Sequence, residues 1–240
     1  MDPDPDPPAV PFGALDAKKN SRGGSGDLGA VLAGGRGSRL DGAKPTADLA
    51  GRPLISYPLA ALAAAGIEPF VVAKPSTDLR GRPLARQTGL RTTAIGMPGQ
   101  RTTTTALGEV EIVTEPAEPT HPLVGIVAAL RHAGRPLVVL GCDFPCAPPA
   151  LLRALAEAPD PLVVPAPGGE PQPLMARWSP ELLPRLEIAL SREEPLRRTV
   201  SALAPRLLDD AELARFCDPI RAFFNVNTPD DLARAAALVA

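Results

Sequence analysis

Apolar residues along the chain arrive in two patterns that alternate. Short, mostly unbroken runs occur at "LGAVL" (28–32), "EPFVVAK" (68–74), "RPLVVLG" (135–141) and "PLVVPAP" (161–167), and strand character of a more mixed kind at "EVEIVTE" (109–115) and "PQPLMARW" (171–178). Runs of this length, bounded by Gly or Pro, predict buried strands. Between them, apolar positions recur at helical spacing. Ile55, Leu59, Leu62 and Gly66 share one face of a helix that starts near Tyr57, because Pro58 lacks a backbone donor, and stops at Gly66, a natural cap. Leu123, Ile126, Val127 and Leu130 mark a second helix, and "PPALLRALAEA" a third with proline at its start. Residues 182–190 and 196–203 predict two more, and "DDLARAAALVA" a last one. Strands that read as continuous apolar runs and alternate with helices predict an α/β fold. Its sheet is mostly parallel, Rossmann-like and covered on both faces, in three layers α/β/α.

Two stretches break this rhythm. Residues 1–27 are rich in Pro, Asp, Gly, Ser and Lys and carry too little apolar surface to offset the entropy of ordering, so they read as a disordered leader. Residues 75–108, with "RTTAIG" and "RTTTTALG", are polar and read as a long loop or partly ordered excursion. The remainder, 28–240, is one domain. Hydrophobic residues at 45% suffice for its core, although aromatics are only 3%, so Leu, Val, Ala and Ile must fill it.

Charge narrows the function classes. With 25 basic and 27 acidic residues the net charge is -2, which argues against nucleic acid or an anionic membrane as partner. No apolar run approaches the roughly 20 residues of a membrane span. The start, "MDPDPDPPAVP", lacks the basic and apolar regions of a secretory signal. Cys142, Cys146 and Cys217 form no regular framework, which implies reduced thiols and a cytoplasmic protein.

Three segments carry candidate chemistry, all at strand ends, where ligands bind in such sheets. In "LAGGRGSRL", after the first strand, Gly34, Gly35 and Gly37 let the backbone approach a ligand and aim N–H groups at anionic oxygens. Arg36, Arg39 and Lys44 add cationic charge. The segment is either a triphosphate cradle or a glycine-rich turn with solvated arginines, and it matches neither the P-loop nor the dinucleotide fingerprint. In "VVLGCDFPC", Asp143 follows a buried strand and precedes a proline turn, where it either caps the turn or holds a hard cation such as Mg2+. The cysteines around it, with only His121 and His132 elsewhere, supply no structural zinc site. His121 reads as a loop residue and His132 as a helix-end one. In "FFNVNTPDDL", an extended strand would turn Asn225 and Asn227 to one side, and Thr228 would cap the following helix.

Taken in order, "LAGGRGSR", "GAK", "GRPLI", "HPLVGI", "GCDFP", "QPL" and "NVNTPDDL" resemble the molybdenum cofactor guanylyltransferases, a branch of the nucleotidyltransferase superfamily with the nucleotide-diphospho-sugar transferase-like fold. The resemblance spans roughly residues 28 to 240. It implies transfer of GMP from GTP to the terminal phosphate of molybdopterin, with Mg2+ as cofactor and release of pyrophosphate. It also implies handover of the product to a molybdoenzyme or cofactor-assembly protein. Carried onto this sequence, it assigns nucleotide binding to Leu32, Ala33, Gly34, Gly35, Arg36, Gly37, Lys44, Ala73, Glu115 and Asp143. Lys44, Arg39 and Asp143 become catalytic, Asp143 the metal ligand, and Gln172, Asn225 and Asn227 the acceptor side. The chain departs from the family pattern at Ala43, where an acid is usual, at Ala73 in place of asparagine, at Glu115 in place of aspartate, and at "HPLVGI" in place of "GPLAGI". These changes cluster around the nucleoside. They keep open a cytidylyl or sugar-phosphate nucleotidyltransferase, and a catalytically weak adaptor of the same fold. "LAGG" rather than "LAAG" favours the guanylyl branch.

Overall fold

The computed structural model describes residues 26–35, 40, 44–77, 79, 91–94, 100–105 and 108–239. Among these, the strands are β1 (Leu28–Leu32), β2 (Asp48–Leu49), β3 (Arg52–Pro53), β4 (Glu68–Ala73), β5 (Arg91–Ala94), β6 (Gln100–Thr105), β7 (Gly108–Thr114), β8 (Leu137–Gly141), β9 (Leu162–Pro165), β10 (Met175–Trp178) and β11 (Arg206–Leu208). The α-helices are α1 (Ser56–Ala64), α2 (Pro122–Ala133), α3 (Pro149–Glu157), α4 (Leu183–Ser191), α5 (Leu196–Ala202), α6 (Asp210–Leu213), α7 (Pro219–Ala222) and α8 (Pro229–Val239). Short 3-10 turns intervene, one of them at Lys44–Thr46.

All but β2 and β3 form one nine-stranded sheet in the order β11-β9-β10-β8-β1-β4-β7-β6-β5. Its centre, β8-β1-β4-β7, is parallel, and antiparallel β10, β6 and β5 extend it on both sides. The unbroken apolar runs follow from this placement. Strand side chains alternate faces, and here both faces are covered. Val31, Val71, Val138, Leu140 and Val163 pack on one side with α1 and α3, while Ala30, Phe70, Val72, Val139 and Val164 pack on the other with α2 and α4. Each fully buried Val, Leu or Phe contributes roughly 1.5–3 kcal/mol, so a single central strand anchors both layers. The α/β/α architecture expected from the alternation is the one observed.

The expected helices appear within a few residues of their predicted ends. Helix α1 leads into Gly66 at φ 71 and α2 into Gly134 at φ 61, left-handed positions that glycine adopts without steric cost. The tight link between β2 and β3 uses Ala50 at φ 50 and Gly51 at φ 80, the two positive angles a type I′ hairpin requires.

Several parts of the chain differ from the sequence reading. The polar stretch read as a loop or excursion contains β5 and β6, which pair antiparallel with each other, β6 pairing in turn with β7. Threonine-rich segments with no apolar run give no hydrophobic signal, yet threonine suits strands. The segment holding Asn225 and Asn227 forms no strand and joins no sheet, and β11, α6 and α7 show no periodicity long enough to read. At the edge of the expected leader, the Asp27 carbonyl accepts from Glu68 N at 2.8 Å and its carboxylate pairs with Arg153 at 2.9 Å. Residues 1–25 lie outside the described residues.

Candidate active site

The carboxyl ends of β1, β4, β7 and β8 converge on a cleft of about 170 Å³. Its walls include Gly34, Gly35, Lys44, Lys74, Glu115, His121 and Asp143. The site therefore lies where the parallel centre of the sheet ends and successive strands send their loops apart.

Asp143 sits just beyond β8 on the 142–147 turn. Its Oδ2 accepts from Lys44 Nζ at 3.1 Å, the two side chains being 16% and 11% exposed. Its Oδ1 is buried and has no hydrogen-bond partner among the described residues. A Cβ at Gly141 would overlap that oxygen, so glycine there leaves room for the carboxylate to fold over the strand end. Lys44 Nζ also donates to Asn227 Oδ1 at 2.8 Å, and Asn227 Nδ2 donates to Asn225 Oδ1 at 2.8 Å. Val226 N donates to the Asp143 carbonyl at 2.9 Å, tying this distant segment to the β8 turn. The segment is fixed again at α8, where Thr228 and Asp231 cap each other and Asp231 accepts from the backbone of Asn227 and Thr228. The backbone bond from Asn227 holds the Asp231 carboxyl below its ordinary range. Lys44, Asp143, Asn225 and Asn227, read as separate motifs, thus form one hydrogen-bonded chain.

The opposite end of the cleft is built from β4, β7 and the N-terminus of α2. Glu115, 5% exposed, lies 3.7 Å from Lys74 Nζ. Burial pushes its carboxyl above the ordinary value, with Lys74 acting in the other direction. A Cβ at Gly34 would overlap Glu115 Oε1, and one at Gly125 would come within 2.9 Å of Oε2. Both glycines therefore make room for this carboxylate. Lys74 Nζ donates to the carbonyls of Pro116, Ala117 and Pro119 at 2.9, 2.7 and 3.4 Å, fastening the loop that leads to His121. His121 is the N-cap of α2, its Nδ1 accepting from Leu123 N at 3.2 Å, where the sequence suggested a loop residue.

The other expected residues fall as follows. Leu32, Ala33, Gly34 and Gly35 line the cleft with Lys44, Glu115 and Asp143. Ala73 is buried in the core, and its neighbour Lys74 lines the cleft instead. Gln172 does not line it. Its amide nitrogen donates to the Glu170 carbonyl at 3.4 Å, and its neighbours Pro171 and Pro173 border a separate cavity of about 480 Å³. Arg36, Gly37 and Arg39, together with Ala43, lie outside the described residues. His132 ends α2, 3.2 Å from Glu111. The sequence reading missed Lys74, Thr120 and the capping role of His121. For His121 the signal existed, since it stands directly before a proline at a helix start.

Three free thiols are present, with Cys142 buried beside Asp143 and pushed up to about 12, by burial first and then by that carboxylate. Among the described residues no group of three or more His, Cys, Asp or Glu side chains could enclose a metal. One free buried carboxylate oxygen suits a hard cation that takes its remaining ligands from water and substrate phosphates. No described helix is long and apolar enough to cross a membrane.

The model of the MobA-like NTP transferase domain matches residues 29–207. A molybdenum cofactor guanylyltransferase from Brucella ovis is 26% identical over 219 residues, covering 86% of this chain and 90% of its own length. Among solved structures, molybdopterin-guanine dinucleotide biosynthesis protein A from Archaeoglobus fulgidus superposes with a TM-score of 0.67 at 24% identity, over 88% of this chain and 98% of that one. A nucleotidyl transferase from Methanothermobacter gives 0.60 at 22% identity, over 89% and 97%. At these identities the structural likeness speaks for the fold.

Proposed function

The chain belongs to the MobA-like NTP transferase family, and from that membership we propose that it transfers GMP from GTP to the terminal phosphate of molybdopterin. The observation that carries this reading is the chain of contacts from Asp143 through Lys44 to Asn227 and Asn225. It joins a free carboxylate oxygen and a cation, suited to a triphosphate, to a pair of amides suited to a second polar substrate.

An oxygen of the acceptor phosphate attacks the α-phosphorus of GTP in line. The new bond joins that oxygen to the α-phosphorus, and the bond from the α-phosphorus to the oxygen bridging the β-phosphate breaks. Its electron pair leaves with pyrophosphate. No side-chain nucleophile is required, so catalysis is positioning and charge stabilisation. The backbone at Gly34 and Gly35 accommodates the triphosphate, and Lys44 moves from Asp143 onto its oxygens as negative charge grows there. Asn225 and Asn227 orient the acceptor. Mg2+, held through Asp143, supplies charge neutralisation at the phosphates when bound.

The test measures pyrophosphate release by the purified protein with Mg2+ and molybdopterin, using GTP and CTP separately. Release with GTP well above that with CTP is expected, together with a loss of about 100-fold or more in Asp143→Ala, typical of removing one preorganised charge-stabilising group. No release, or release favouring CTP, overturns the proposal.

A further inference from the structure

The end of the cleft away from Asp143 is lined by a histidine, His121, to which the family resemblance assigns no role. Lys44 and Asp143 occupy one end, so a nucleotide with its phosphates there extends its base toward Glu115, Thr120 and His121. Two polar side chains at this end, Lys74 and Thr120, are already committed. Lys74 spends its donors on three carbonyls, and the Thr120 hydroxyl faces Glu118 Oε2 at 3.4 Å. His121 differs. Its Nδ1 accepts from Leu123 N, which fixes the ring proton on Nε2. Among the described residues Nε2 donates no hydrogen bond. The cleft thus offers an acidic acceptor pair at Glu115 and one oriented N–H donor at His121.

We propose that His121 is a specificity-determining residue whose Nε2–H donates to O6 of guanine while Glu115 accepts from the adjacent N1–H and 2-amino groups. The inference rests on the GTP reading above. A guanine edge presents one acceptor followed by two donors, the complement of a donor beside a carboxylate. Adenine fails on both counts, because its N1 is an acceptor facing the Glu115 oxygens and its 6-amino group is a donor facing the His121 donor. The capping bond gives this arrangement its rigidity. The interaction that ends α2 also sets the ring orientation, so little side-chain freedom is lost when the base arrives.

The experiment titrates GTP, ITP, 6-thio-GTP and CTP, each with Mg2+ and without acceptor, into the wild-type protein and His121→Ser by calorimetry. Serine keeps an N-cap acceptor for α2 but cannot reach the base, and a melting curve checks that the fold is retained. 6-Thio-GTP keeps both donors and replaces O6 by sulfur, a weak acceptor, whereas ITP keeps O6 and lacks the 2-amino group. In the wild type, 6-thio-GTP is expected to bind about five- to tenfold more weakly than GTP, the value of one neutral hydrogen bond. In His121→Ser that ratio falls to about one, while the penalty for ITP persists because it belongs to Glu115. Equal weakening of GTP and 6-thio-GTP in the variant, or no change in either, overturns the role of His121 and leaves the GTP reading standing. A wild-type preference for CTP over GTP overturns both.

Discussion

Replacing Lys74 by methionine isolates the interaction that holds the Glu115 wall of the cleft together. Methionine keeps an unbranched apolar stem and removes the ammonium. Three carbonyls lose their donor, and Glu115 loses the cation 3.7 Å away. The two side chains are 10% and 6% exposed, so solvent cannot replace what is lost. Breaking a buried pair by deleting one partner costs about 3–5 kcal/mol. The long separation places this case near the lower end, about 3 kcal/mol, which for a domain of this size lowers the midpoint of thermal unfolding by roughly 6–12 °C.

The sign of the pH dependence follows from Glu115. Burial already raises its carboxyl, and Lys74 opposes that shift. Without Lys74 the folded-state value rises further above the unfolded one, so the folded protein holds the proton more tightly. Stability of Lys74→Met then falls as pH rises from the ordinary carboxylate range through the raised value, and the defect shrinks on acidification. Urea unfolding at about pH 8 and about pH 5, at matched slopes, measures both effects. Lys74→Met with Glu115→Gln should recover most of the loss, because no uncompensated charge remains. A single-variant loss below about 1 kcal/mol, or an equal loss at both pH values with no recovery in the double variant, would refute the assignment of Lys74 as the partner of a buried carboxylate.

Gly34→Ala forces Glu115 to move, since the new Cβ would overlap Oε1 and Gly125 closes the other side. GTP affinity should fall about tenfold, the loss of one hydrogen bond to a charged group, with urea stability changed far less, and equal affinity for both proteins in calorimetry would contradict the tight fit. In the wild type, acidification should weaken GTP binding at a pH above the ordinary carboxylate range, because the raised Glu115 carboxyl takes up a proton and loses acceptor capacity. Glu115→Gln should flatten that profile, and an unchanged profile in the variant would assign the titration to another group.

The layers of the fold were legible because the same physics that buries a strand on both faces writes it as an unbroken apolar run. Val138, Val139 and Leu140 are the plainest case, with consecutive residues in opposite layers. The strands β5 and β6 were not legible, since a polar segment carries no such mark and its pairing with β7 is set by backbone hydrogen bonds. The site was legible in pieces. Lys44 and Asn227 are 183 positions apart, and no local pattern states that they share a hydrogen bond. The rule that loops at the carboxyl ends of a parallel sheet gather on one edge brought Lys44 toward Asp143, whereas Asn227, in a segment that joins no sheet, was linked to them through the family resemblance.

Residues 73 and 74 show where family likeness and physical alternation part. The resemblance placed a nucleotide contact at Ala73, but Val71 and Ala73 share the face of the sheet that packs on α1, and Phe70 and Val72 share the other. Position 74 continues the second face, toward the α2 side, where Glu115 and the 116–119 carbonyls stand. A short side chain at 73 is therefore compatible with the core, and the polar work at this strand end passes to a long cation one residue on. A lysine here requires an acid in reach, and Glu115 extends one methylene further than the aspartate usual at that place. With a short side chain at 73 and a glutamate at 115, this end of the cleft keeps a buried carboxylate paired with a lysine, an arrangement that a glycine wall at 34 and 125 leaves room for.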